Sequence, residues 1–124
     1  MKIKLLLFVF LFSYNLYSQS LTNEIVLDSN GVTIKCKDSE TGFTKNIAGK
    51  IYTVVDEALL RNMVNNDEDV TCVCTSNITD MSELFMSKPS FNQDIISWDT
   101  SSVTTMKSIL KNAQLFNQDL GSWD

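Results

Sequence analysis

Apolar positions along the chain change period three times. From Leu21 to Cys36 two β-rich runs, Ile25-Val26-Leu27 and Val32-Thr33-Ile34, flank Asp28-Ser29-Asn30-Gly31. Asn-Gly between apolar runs predicts a hairpin, because both residues tolerate positive φ. Residues 37–50 are polar, carry Gly42 and Gly49, and read as loop. Ile51-Tyr52-Thr53-Val54-Val55 reads as a strand. Asp56 then reads as a helix N-cap, with a helix from Glu57 to about Asn65 whose Leu59, Leu60, Met63 and Val64 share one face.

After residue 72 the pattern repeats. Ile78-Thr79-Asp80-Met81 leads through Phe91-Asn92-Gln93-Asp94 to Ser97-Trp98-Asp99, and Val103-Thr104-Thr105-Met106 leads through Phe116-Asn117-Gln118-Asp119 to Ser122-Trp123-Asp124. The offset is 25 residues throughout, with no gap. Of 22 aligned pairs, 9 are identical, where ordinary residue usage gives about one or two. A fixed period in this range is the mark of a solenoid, whose units bury their apolar faces on each other. Shifted by the same interval, Val73 falls on Trp98 and Thr75-Ser76 on Thr100-Ser101, so residues 72–77 read as the tail of a degenerate earlier unit.

Within each unit, Ile78, Met81, Leu84 and Phe85, and likewise Val103, Met106, Ile109 and Leu110, have helical spacing. Asp80 with Glu83 resembles a capping box, and Pro89 would end that helix. A polar corner and a short strand, 95–98 or 120–123, complete the unit. The expected fold is therefore an α/β repeat: a short solenoid of strand-plus-helix units behind a small hairpin-and-helix cap. The expected division is a signal peptide at 1–18, the hairpin and capping-helix region at 19–71, and repeats at 72–124. The repeats comprise a partial unit at 72–77 and units 78–102 and 103–124. Because a new unit is due after Trp123-Asp124, the chain reads as a shortened array or fragment.

The first 18 residues read as an export signal: Lys2 and Lys4, an apolar run from Leu5 to Phe12, and a cleavage site at Leu16-Tyr17-Ser18 before Gln19. The run is too short for a membrane span, which needs about 20 residues. Removing the signal leaves 8 basic against 15 acidic residues, a net charge of −7. That balance disfavours nucleic acid, whose phosphates need clustered Lys and Arg.

The chain has no histidine, which removes the commonest general base and transition-metal ligand. Cys36, Cys72 and Cys74 admit one disulfide from Cys36 to either of the others, or three buried thiols. Three cysteines without histidine fit no standard zinc spacing. Asp28, Asp38, Glu40 and Glu57 could supply a carboxylate pair for glycoside hydrolysis, but nothing in their spacing supports it.

Asn92-Gln93-Asp94 and Asn117-Gln118-Asp119 read as ladders that satisfy corner backbone, in preference to a calcium site. Trp98 and Trp123 read as core rungs rather than exposed stacking platforms. Asn77-Ile78-Thr79 matches a glycosylation acceptor but falls on a unit start and is set aside.

The repeated form, here Val103-Thr104-x-Met106, Phe91-Asn92-Gln93-Asp94 and Ser97-Trp98-Asp99-Thr100-Ser101, resembles the BspA-type leucine-rich-repeat surface proteins abundant in Bacteroidetes. The resemblance covers residues 72–124. It departs in the number of complete units, in Lys88 where the second unit has Ala113, and in showing no sorting region. It implies cell-surface adhesion: an exported, non-enzymatic module that binds a protein or glycan on another cell or matrix and stacks with further repeats. No catalytic residue, metal or cofactor is implied. The rivals are a targeting appendage of an exported hydrolase and a fragment without function.

Overall fold

The computed structural model describes residues 22–124; the export-signal reading of 1–18 lies outside them. The order is β1 (Val26–Leu27), β2 (Ile34–Lys35), β3 (Thr44–Ile47), β4 (Lys50–Val54), α1 (Glu57–Asn65) and β5 (Val73–Cys74). β1 and β2 pair antiparallel, Leu27 opposite Ile34. Gly31 takes φ +75° and its N–H bonds the Asp28 carbonyl at 3.0 Å, so glycine serves the turn that closes this hairpin.

The second sheet has the order β3-β4-β5, with β3-β4 antiparallel and β4-β5 parallel. β3 corrects the loop expected over 37–50. Its exposed Thr44-Lys45-Asn46 gives no alternating apolar signal. The strand exists because Ala48 (φ +50°) and Gly49 (φ +86°) make a tight turn that folds it onto β4. β5 then pairs with β4 through Thr53-Val73 and Val54-Cys74.

Helix α1 starts at Asp56, whose carboxylate accepts the Leu59 N–H at 2.8 Å. Its buried residues are Leu60 and Val64. They join Val55, Val70, Val73, Ile78, Met81, Leu84, Phe85, Ile95 and Trp98 in the larger core. The smaller core holds Ile25, Ile34, Cys36, Tyr52, Val54 and Cys74. Thus α1 covers one side of the first unit, and the hairpin is joined to it through Ile34 N–H to Ser97 carbonyl at 2.8 Å.

Neither unit contains a helix, and neither 95–98 nor 120–123 forms a strand. This corrects the strand-plus-helix unit. The chain instead runs as successive turns: the N–H groups of Leu84, Met86 and Lys88 bond the carbonyls of Met81, Glu83 and Phe85, three residues back. Glu83 and Ser87 sit at φ +58° and +57°, and their counterparts Ser108 and Asn112 at +57° and +62°. A left-handed residue every fourth position cannot continue an α-helix and costs about 1 kcal/mol or more for a non-glycine residue.

The compensation lies between units. The intervening N–H groups of Met81, Glu83, Phe85 and Ser87 donate to the carbonyls of Thr105, Lys107, Ile109 and Lys111 at 2.8–3.0 Å. In return, Thr104 and Leu115 donate to Thr79 and Pro89. Half the backbone donors serve the local turn and half serve the neighbour. The supposed capping box is therefore something else: Asp80 Oδ1 accepts from the N–H and hydroxyl of Ser82, closing a local turn.

Candidate functional site

The two units stack with their 25-residue offset intact, and their aromatic side chains form columns. Phe91 and Phe116 stack with centroids 5.9 Å apart and planes at 6°. Trp98 and Trp123 do so at 6.1 Å and 7°. Phe85 lies against Phe91 at 3.9 Å. Each indole N–H reaches back 28 residues: Trp98 Nε1 to the Val70 carbonyl at 3.0 Å, Trp123 Nε1 to the Ile95 carbonyl at 3.2 Å. Trp98 is 0% exposed, so it is a rung of the core. Met81 is likewise buried, while Met106 and Trp123 in the second unit are half-buried.

The polar corners hold backbone. Gln93 accepts the Val70 N–H at 2.8 Å and donates to the Glu68 carbonyl at 2.9 Å. Asn92 Oδ1 accepts from the Asn117 N–H and from Gln118 Nε2, both at 3.0 Å. Asp94 and Asp119 each accept the N–H two residues on, from Ile96 and Gly121. These are turn bonds that recur from unit to unit. Asn92, Asn117, Asp94 and Asp119 nevertheless remain on the surface, as two matched rows.

Beside the first corner a cleft of about 420 Å³ is lined by Val64, Asp67, Lys88, Phe91, Asn92 and Gln93. Lys88 Nζ pairs with Asp67 across it at 2.8 Å. The cleft has both apolar and hydrogen-bonding walls.

Cys36 and Cys74 form a disulfide that ties the end of the hairpin to β5. Cys72 is a free, half-buried thiol. Next to the disulfide runs a buried polar chain: the Cys36 N–H donates to Ser76 Oγ at 2.9 Å, and Ser76 Oγ donates to Asp99 Oδ2 at 2.6 Å. Burial raises the Asp99 pKa. The hydrogen bonds from Ser76 and Ser101 and the charge of Lys35 outweigh it and hold the carboxyl below its ordinary value.

The four acids considered for hydrolysis are not gathered into a pair by their bonding. Asp28 pairs with Lys35, Glu57 with Arg61, and Glu40 with Asn23, while the Asp38 N–H is held by Asn77. Asn77 also donates to the Ser39 carbonyl, which employs the amide that glycosylation would modify.

One residue that holds the first unit had almost no signal in the sequence. Arg61 of α1 donates from its guanidinium to the carbonyls of Ser82 at 3.0 Å and Asp80 at 3.2 Å. Those carbonyls are the 25-residue counterparts of Lys107 and Thr105, which accept N–H groups of the first unit. Arg61 thus stands where the backbone of a preceding unit would stand. Only the i,i+4 pairing with Glu57 could have drawn notice to it.

Among the described residues no helix is long and apolar enough to cross a membrane. Residues 55–124 match the family described as "Mycoplasma protein of unknown function, DUF285". No curated protein and no solved structure matches the chain significantly. The matched span takes in the helix, the arginine and both stacked units, and the chain belongs to this family of BspA-like repeats.

Proposed function

We propose that this chain is an exported binding module: a short solenoid whose stacked units present one recognition surface repeatedly to a protein or glycan partner on another cell or matrix. The observation that carries the reading is the in-register stack, which displays Asn92 and Asn117, and Asp94 and Asp119, as matched surface rows. A repeated surface binds through many weak contacts, so its avidity is set by unit number. The lysine-and-apolar start of the sequence supports export. The finer assignment is a BspA-type surface protein of Bacteroidetes acting in adhesion, without enzymatic activity, cofactor or metal.

The test has two arms. Residues 1–18 fused to a reporter enzyme should direct it out of a bacterial cell. The purified chain, and versions carrying one and two additional 25-residue units, should bind immobilised matrix proteins or glycans with a strength that rises with each unit. No binding at any unit number, or a hydrolytic activity abolished by replacing one acid, would overturn the reading.

A further inference from the structure

A second, smaller cleft, of about 230 Å³, opens where the β1–β2 hairpin, the start of β4 and the first unit's corner meet. Val32 comes from the hairpin, Lys50 and Tyr52 from β4, and Asp94, Ile96 and Ser97 from the corner. The bond from the Ile34 N–H to the Ser97 carbonyl, at 2.8 Å, holds the hairpin against that corner.

The polar groups of this cleft are largely unspent. Tyr52 is 8% exposed, and it belongs to the smaller core. Its hydroxyl has no hydrogen-bond partner among the described residues, where a buried polar group nearly always has one. No unpaired side-chain oxygen among them is sealed from solvent, so the hydroxyl keeps its access to water through the cleft. Ser97 differs from its counterpart in the same sense. Ser122 donates its hydroxyl to the Ile96 carbonyl of the neighbouring unit, whereas the Ser97 hydroxyl makes no bond among the described residues. Lys50 makes no ion pair among them. Asp94 accepts one bond, from the Ile96 N–H at 3.1 Å, and keeps its other oxygen free.

We infer that this cleft binds one sugar residue of a glycan, an uncharged and polyhydroxylated ring. One ammonium and one carboxylate line it, so their charges cancel. An anion meets Asp94. A divalent cation meets Lys50 and finds a single carboxylate, where calcium takes about six to eight oxygen ligands. A sugar hydroxyl both donates and accepts. Neighbouring hydroxyls of one ring can therefore donate to Asp94 and accept from Lys50, with Tyr52 and Ser97 serving in either sense. Val32 and Ile96 give the C–H face of the ring an apolar wall. The volume lies below the roughly 300–1,000 Å³ of sites for larger ligands, which suits a single ring. The inference deepens the binding-module reading by choosing glycan over protein, and it rests on that reading. The cleft itself occurs once per chain, apart from the repeated rows.

The test titrates glucose, galactose, mannose and N-acetylglucosamine, one at a time, into the full chain while backbone amide NMR shifts are followed. At least one sugar should move the amides of Val32, Tyr52, Ile96 and Ser97 to saturation. Tyr52→Phe deletes one oxygen and keeps the ring in the core. It and Lys50→Met should each weaken that binding by about tenfold, the loss of one good hydrogen bond. Should Tyr52→Phe not fold, Lys50→Met decides, because Lys50 is exposed. The inference is overturned if none of the four sugars moves these amides, if binding survives the substitutions, or if glycine moves them and no sugar does. A chain whose cleft takes no sugar, while added units still strengthen binding to immobilised matrix proteins, would sink this inference alone. Sugar binding in the cleft with no gain from added units would support it and sink the repeated-surface reading.

Discussion

Trp98 donates its indole N–H to the carbonyl of Val70 at 3.0 Å while its ring is wholly buried. The bond joins the segment after α1 to the end of the first unit, and Trp123 repeats it on Ile95. Trp98→Phe keeps an aromatic ring in the column but leaves a buried carbonyl unpaired, at a cost of about 1–3 kcal/mol. Trp98→Ala should cost about 3–5 kcal/mol, and Trp123→Phe less than Trp98→Phe, because Trp123 is half-buried. Urea unfolding of the three variants checks the order; equal losses at Trp98 and Trp123 would contradict it.

Arg61 is predicted to matter through its shape as well as its charge. Its two terminal nitrogens meet two carbonyls two residues apart. Lysine carries one point charge and cannot span both. Arg61→Lys should therefore recover less than half of the stability lost in Arg61→Met, a loss of about 2 kcal/mol. Thermal unfolding of both variants measures it, and full rescue by lysine would refute the bridging role.

Asp99 sets an acid limit. Its folded pKa lies below the unfolded value, so its contribution is present above the unfolded pKa, about 3.9, and is lost as pH falls through the lowered folded value. Asp69 and Asp80 are lowered as well, by bonds from Thr71 and Ser82, and act in the same sense. The difference in melting temperature between the native chain and Asp99→Asn should be constant near neutrality and shrink below about pH 4. A difference that grows on acidification would contradict this sign.

The disulfide closes a separation of 38 residues. Reduction, or Cys36→Ser with Cys74→Ser, should lower stability by about 2–4 kcal/mol. The oxidised chain should present one titratable thiol on unfolding, from Cys72. A thiol count of three would show that the bridge does not form.

The hairpin, the N-cap at Asp56 and the 25-residue repeat were legible because each leaves a side-chain signature: Asn30-Gly31, a carboxylate before an amphipathic run, and identical residues at a fixed offset. The turn ribbon was not. Apolar residues at i, i+3 and i+4 line one face of a helix, and they also line one side of successive turns. The deciding feature is positive φ at Glu83, Ser87, Ser108 and Asn112, none of them glycine. β3 was hidden because its outer residues are polar. Arg61 was hidden because it binds backbone carbonyls, which carry no residue identity.

The most direct test of the account is residue-resolved amide exchange on the unmodified chain at neutral pH. Met81, Glu83, Phe85 and Ser87 should be protected by their bonds to the second unit, and Met106, Ser108, Leu110 and Asn112 should exchange far faster despite an equivalent local fold. Equal protection in the two sets, or protection running continuously along 81–88 as in a helix, would contradict the stacked-turn structure.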